Sequence, residues 1–87
     1  MRAVLRFRLI VITGRHIRAG RALLGWPQST LATKAKVALR TIRRMESFDE
    51  AVGARTTTLG RVVAVLEKAG VEFLNNGGPG VHLRIKS

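Results

Sequence analysis

Residues 28–46, QSTLATKAKVALRTIRRME, constrain the fold of this chain more than any other stretch. Within them, Leu31, Ala32 and Ala35 form one apolar stripe at helical spacing, on a segment of about eight residues. A second apolar stripe follows after a short gap and consists of Val37, Ile42 and Met45. The pattern predicts two short helices that are separated by a tight turn and bury these stripes.

The outer face of the second helix is basic. Its outward-facing residues are predicted to be Ala38, Leu39, Arg40, Arg43 and Arg44. Two short helices in this relation, with a basic outer face on the second, describe a helix-turn-helix. In such a motif the second helix, here expected at residues 38–47, enters the major groove of DNA. A solvated helix face is the alternative interpretation of the arginines.

This stretch also resembles the helix-turn-helix of the phage repressor and Cro group, the Xre-type regulators. The residues that carry the resemblance are Gln28, Leu31, Ala32, the turn at 35–37, Ile42 and Glu46. ITGRHIRAGRALLGWPQ looks like the first helix of that family, and TLGRVVAVLEKAGVEFL with GGPGVHLR looks like the end of a small bacterial subgroup. The resemblance covers about residues 12–84. It implies a mainly α fold, a compact phage-repressor-like (lambda-repressor-like) helical bundle.

The resemblance also implies roles for single residues. Leu39 and Arg40 match positions where relatives read base edges, and we expect Arg40 to make a bidentate contact to guanine and Leu39 to meet a thymine methyl. Arg44, one turn further on, is expected to read another base. The expected DNA phosphate contacts are Gln28, Lys34, Lys36 and Arg43.

Two further positions bear on how the motif is held. Arg21 and Glu46 match the family's Arg on the first helix and Glu at the end of the recognition helix, which form a structural ion pair. Loss of one partner would leave a poorly solvated charge. Alternatively, Arg21 contacts phosphate and Glu46 is a solvated helix end.

Lys36 departs from the family, which usually has Gly in this turn because the backbone tends towards positive φ. Either the lysine adopts that conformation at a cost near 1 kcal/mol, or the turn is built differently.

The net charge is +11 in 87 residues, and it is concentrated in the N-terminal half. Residues 1–48 hold eleven Lys and Arg against one acid, whereas residues 49–87 hold five against four acids. This balance predicts a polyanionic partner, with nucleic acid first and an acidic membrane surface second. Solubility alone is the alternative explanation. The length allows one structural domain with a small core, which oligomerisation would help to stabilise.

Turn and capping signals divide the remaining chain. The expected regions are an N-terminal strand or extension at 1–12, the helix-turn-helix domain at 13–70 and a C-terminal β-hairpin at 71–87. Hairpin strands are expected at 71–74 and 81–85, around the turn-rich NNGGPG. A two-stranded hairpin is marginal alone, so residues 4–12, which alternate like a strand, would add a third strand within the chain or from a partner subunit.

Helix ends are marked by Thr and Gly. Thr13 is expected to cap a helix that Gly25 ends, and Thr57 or Thr58 to cap a helix over residues 59–69 that Gly70 ends. The expected buried residues of the first of these helices and its exit are Ile17, Ala22, Leu24 and Trp26, with Trp26 interpreted as a core residue rather than a base-stacking one. The outer side is expected to carry a basic ridge of Arg15, Arg18 and Arg21. The expected buried residues of the helix over 59–69 are Leu59, Val62, Val63 and Leu66.

No combination of residues suggests catalysis. The chain has no cysteine, and His16 and His82, interpreted as surface or groove-edge residues, have no carboxylate at a metal-like spacing. We therefore expect no enzyme activity, no metal and no cofactor. No apolar run approaches the ~20 residues of a membrane span, so a cytoplasmic, nucleoid-associated protein is expected.

The predicted function is sequence-specific binding of double-stranded DNA by a transcriptional regulator, a repressor that binds an inverted repeat as a homodimer. Two alternatives stay open. One is an antitoxin-type component of a toxin–antitoxin pair, which binds DNA and contacts a protein partner through the hairpin. The other is a nucleic-acid-binding protein that is driven by charge and shows little base preference.

Overall fold

Four helices and a two-stranded antiparallel hairpin make up the computed structural model over the residues it describes, which are 12–47, 56–74 and 80–84. In chain order the elements are α1 (Gly14–Leu24), α2 (Gln28–Ala35), α3 (Leu39–Glu46), α4 (Thr56–Lys68), β1 (Val71–Leu74) and β2 (Gly80–Leu83). The expected mostly helical fold with a C-terminal hairpin is confirmed. The expected strand at residues 4–12 lies outside the described residues except for Ile12, which is buried and is not part of a described strand, and the hairpin turn at 75–79 also lies outside them.

The ends of α1 follow the predicted signals. Thr13 has an extended backbone, and its hydroxyl accepts a hydrogen bond from the backbone N–H of His16 at 3.3 Å. Gly25 adopts a left-handed conformation with φ of 70°, and its N–H donates to the carbonyl of Ala22 at 3.0 Å. A residue without a Cβ adopts this conformation at little cost, which is why the helix ends there.

The buried face of α1 differs from the prediction at one residue. Ile17 is fully buried, and Leu24 and Trp26 are half-buried and pack against the core. Ala22, however, is exposed, so its predicted burial is wrong. It lies five residues after Ile17, which rotates it by about 140° away from the buried stripe. Gly20 is buried instead, where α1 lies against the side chain of Val71 in β1.

The turn between α2 and α3 is closed by Lys36 in the left-handed conformation, with φ of 58° and ψ of 46°. The N–H of Lys36 donates to the carbonyl of Thr33 at 3.2 Å, and the N–H of Val37 donates to that of Ala32 at 3.0 Å. This pair of bonds is a Schellman motif, in which glycine is the usual left-handed residue. Of the two possibilities for Lys36, the structure has the lysine in the strained conformation.

The hairpin and α4 complete the core. Val71 pairs with Leu83 and Phe73 with Val81, which places Phe73 on the buried face of the hairpin. The buried apolar residues of the described chain are Ile12, Ile17, Leu31, Ala32, Ala35, Ile42, Met45, Val62, Val63, Leu66, Val71 and Phe73. Every helix and β1 contribute to this set, so the helices and the hairpin share one core.

The start of α4 corrects a predicted cap. Thr57 and Thr58 lie inside the helix, which includes Thr56, so neither precedes its first residue. The helix therefore begins before both candidate caps, and the run of threonines did not mark its first residue. At the other end Gly70 has φ of 110°, and its carbonyl accepts from the N–H of Arg84 at 2.9 Å, which ties the exit of α4 to the hairpin.

Relief of the backbone strain at Lys36 should be measurable. We expect Lys36→Gly to be more stable than Lys36→Ala by about 1 kcal/mol, because both variants lose the charge and only glycine lacks the Cβ that opposes positive φ. Urea unfolding of the two variants measures the difference. Equal stability, or a more stable alanine variant, would contradict the strained turn.

Candidate functional site

The outer face of α3 carries three exposed arginines. Arg40, Arg43 and Arg44 are spaced so that they share one side of the helix, and each is exposed. Ile42 and Met45 on the opposite side are buried in the core. The helix therefore presents a cationic surface, here called the α3 arginine face, while its apolar side is fixed to the rest of the protein.

Leu39 differs from its expected placement at the outer face. It is half-buried and packs against the core, so only part of its side chain lies beside the arginines. The reason is its position three residues before Ile42, which puts both side chains on the same side of the helix. Its expected contact to a base would use the exposed part.

Three helices meet at the carboxylate of Glu46, the last residue of α3. Glu46 is 3% exposed. From α1, the Arg21 guanidinium donates through Nε to Oε2 at 2.8 Å and through Nη2 to Oε1 at 2.9 Å. From the start of α2, Gln28 Nε2 donates to Oε1 at 3.0 Å. The Arg18 guanidinium also donates to the Glu46 backbone carbonyl. We call these four residues the Glu46 network.

Arg21 has a further bond that links the network to the exit of α1. Its Nη1 donates to the carbonyl of Trp26 at 2.9 Å, so all three guanidinium nitrogens of Arg21 hold protein groups. The expected ion pair between Arg21 and Glu46 is therefore present, and Arg21 is directed into the protein rather than toward a phosphate. The basic ridge expected from Arg15, Arg18 and Arg21 is reduced, since two of its members bind Glu46.

Lys34 lies beside the indole of Trp26. Its Nζ is 5.2 Å from the ring centroid, within the range of a cation–π interaction of about 0.5–1 kcal/mol at an exposed site. Trp26 is half-buried and packs against the core, as the interpretation of a core residue requires. The contact holds an exposed ammonium at the junction between α1 and α2.

The charged side chains between residues 12 and 47 are almost all positive. Residues 12–47 contain eight Lys and Arg and a single acid, Glu46, whose carboxylate is used inside the protein. Of the expected phosphate contacts, Lys34, Lys36 and Arg43 are exposed. Gln28 is half-buried, and its amide nitrogen already donates to Glu46. The accessible groups around the α3 arginine face are therefore cationic or neutral among the residues from 12 to 47.

His16 was placed wrongly by the sequence analysis. It was expected at the surface or at a groove edge, but it is 2% exposed and forms part of the cap of α1. The signal was present in the spacing Thr13-x-x-His16, which matches a capping box with histidine in place of the usual Glu or Gln. Burial lowers the pKa of His16, while hydrogen bonding by the Leu74 backbone partly raises it.

Among the described residues, no group of three His, Cys, Asp or Glu side chains could hold a metal ion. No helix there is long and apolar enough to cross a membrane.

Comparisons of the sequence with known protein families and with curated proteins found no match. The relationship to phage-repressor-type regulators therefore remains a prediction, which rests on the residues that carry the resemblance. The geometry of the α3 arginine face and of the Glu46 network does not depend on that relationship.

Removal of the Glu46 carboxylate should destabilise the protein strongly. We expect Glu46→Ala to lower the free energy of unfolding by about 3 kcal/mol, because Arg21, whose side chain is 21% exposed, loses its counter-charge and Gln28 loses an acceptor. Urea unfolding measures the loss.

Glu72 provides the matched control for this experiment. Its carboxylate lies 3.2 Å from Nε of Arg84, but the Arg84 side chain is 61% exposed. Glu72→Ala should therefore cost about 1 kcal/mol or less. Equal losses in the two variants would show that the Glu46 network contributes no more than a surface ion pair.

Proposed function

We propose that this protein binds double-stranded DNA in a sequence-specific manner, as a helix-turn-helix transcriptional regulator of the repressor type. The observation that carries the proposal is the α3 arginine face: three exposed arginines share one side of a helix whose other side and C-terminal end are fixed. A helix of about 10–12 Å in diameter matches the width of the major groove.

Rigid attachment is what distinguishes a base-reading helix from a merely basic one. A bidentate contact to guanine requires a guanidinium whose backbone is held in a defined position. Ile42 and Met45 hold α3 from within the core, and the Glu46 network holds its last residue from α1 and α2. These contacts support a defined path for the helix in the groove.

Arg40 is the proposed base-reading residue. It lies at the second position of α3, and the N-terminal part of the second helix is the part that reaches the base edges in this type of motif. Its proposed contact is bidentate, to O6 and N7 of guanine. Arg44 follows one turn later and would read a neighbouring base, while Arg43 would meet a phosphate.

The start of α2 supplies a second type of contact. Pro27 precedes the helix and gives it no side-chain cap, so the first-turn N–H groups are suited to a phosphate oxygen. Gln28 stands at this end, and its NH₂ has a second hydrogen beyond the one that it donates to Glu46. In this proposal, Glu46 sets the orientation of the phosphate-binding amide as well as that of α3.

The proposal includes a homodimer on an inverted repeat. A single recognition helix reads only a few base pairs, which is too little for useful specificity in a genome. Two copies bound to half-sites about one helical turn apart would read twice as many base pairs.

Selection from a random duplex library at moderate salt tests the proposal. The wild-type protein should enrich an inverted repeat. Arg40→Ala should lose preference at one defined position of each half-site, by about 5- to 150-fold for a contact of roughly 1–3 kcal/mol. Arg61→Ala removes the same charge from an exposed site on α4 and should keep the full preference.

Two outcomes would overturn the proposal. Binding without enrichment, weakened by salt equally for every sequence, would leave a charge-driven nucleic-acid-binding protein. If Arg40→Ala and Arg61→Ala change the preference for the enriched site alike, Arg40 does not contact a base.

A further inference from the structure

The N-terminus of α1 is closed by an imidazole. The backbone N–H of Thr13 donates to Nδ1 of His16 at 3.0 Å, and the Thr13 hydroxyl lies 3.0 Å from the same nitrogen. In return, the backbone N–H of His16 donates to the Thr13 hydroxyl at 3.3 Å. These are the two reciprocal bonds of a capping box, in which a titratable ring replaces the usual Glu or Gln.

Only one protonation state of the ring completes this cap. For Nδ1 to accept the Thr13 N–H, its lone pair must be free, which requires the neutral ring with its hydrogen on Nε2. In the imidazolium both ring nitrogens are donors. Protonation would therefore turn Nδ1 from an acceptor into a donor that faces the N–H of Thr13.

The surroundings of the ring also disfavour its charged form. His16 is 2% exposed, and its ring centroid lies 5.8 Å from that of Phe73 in β1, at an interplanar angle of 60°. Its Nε2 has no hydrogen-bond partner of good geometry among the described residues. The Leu74 backbone raises the pKa of His16, but by less than burial lowers it. A positive charge here would be poorly solvated.

Charged groups on the neighbouring elements do not compensate. His16 and Arg15 both line a pocket of about 190 Å³ with Ala19, Gly80 and Val81, and Arg15 has the same sign as a protonated ring. On the hairpin, the Glu72 carboxylate lies 3.2 Å from Nε of Arg84 and 3.5 Å from Nδ1 of His82, on the face opposite to Phe73. The face that α4 turns to the core is apolar, with Val62, Val63 and Leu66.

We propose that His16 is an acid-sensitive cap, which closes the first turn of α1 when the ring is neutral and opens it when the ring takes up a proton. The element that it controls carries Arg18 and Arg21, the two residues that reach Glu46 from α1. This inference concerns folding and does not rest on the proposed DNA binding.

The direction of the effect follows from proton linkage. Burial lowers the pKa of His16, so the unfolded chain binds a proton near pH 6.5 while the folded chain does so only at lower pH. The contribution of the neutral cap to stability is fully present above pH 6.5. It is lost progressively as the pH falls from there toward the pKa of the folded state.

The test combines an NMR titration with unfolding at two pH values. In the wild-type protein the His16 ring should titrate below 6.5, and urea unfolding should show a lower stability at pH 5 than at pH 7.5. Between pH 6.5 and the pKa of His16 in the folded state, the folding equilibrium constant should fall about tenfold for each pH unit. Amide exchange of the first turn of α1 should accelerate in the same interval.

Two variants separate the cap from other titrations. His16→Gln keeps an acceptor at the capping-box position and cannot titrate, so its stability should lose less between pH 7.5 and pH 5. His82→Gln removes the other histidine, and this variant should lose as much stability between pH 7.5 and pH 5 as the wild type. The proposal is overturned if His16→Gln loses as much as the wild type, or if the wild-type His16 ring titrates at or above 6.5. The wild-type NMR titration decides the matter even if His16→Gln does not fold.

Discussion

The carboxylate of Glu46 is the group on which the arrangement of the first three helices depends. A carboxylate that is 3% exposed must be paired and hydrogen-bonded, because burial of an unpaired charge costs several kcal/mol. Its side-chain oxygens accept from Arg21 on α1 and Gln28 on α2, while Arg18 binds its backbone carbonyl. Since these groups come from separate helices, satisfying one charge sets the relative positions of all three.

This arrangement has a consequence for the surface. The one acid between residues 12 and 47 is neutralised inside the protein by Arg21, while the arginines of α3 lie outside. An excess of positive charge therefore remains around Arg40, Arg43 and Arg44. The same network restricts how α3 can move, which is the condition for reading bases rather than only attracting a polyanion.

Much of this could be predicted from local sequence signals. The ends of α1 at Thr13 and Gly25 follow from capping chemistry, and the presence of α2 and α3 follows from apolar spacing. The pairing of Arg21 with Glu46 came from a family resemblance, since spacing alone does not show that residues 25 positions apart meet.

Other features depend on tertiary packing that a periodic pattern does not contain. The spacing Thr13-x-x-His16 predicts the cap, but the burial of the His16 ring depends on its packing against Phe73 of the hairpin. Gln28 could be expected near DNA from its place at a helix start, but its contact with Glu46 appears only when α2 and α3 are packed together.

The most direct test of the account is an NMR titration of the arginine Nε–H signals with a DNA duplex. The signals of Arg40 and Arg44 should shift on binding, while that of Arg21, whose Nε donates to Glu46 at 2.8 Å, should stay in place. Shifts confined to the hairpin, with Arg40 and Arg44 unchanged, would show that DNA does not bind at α3.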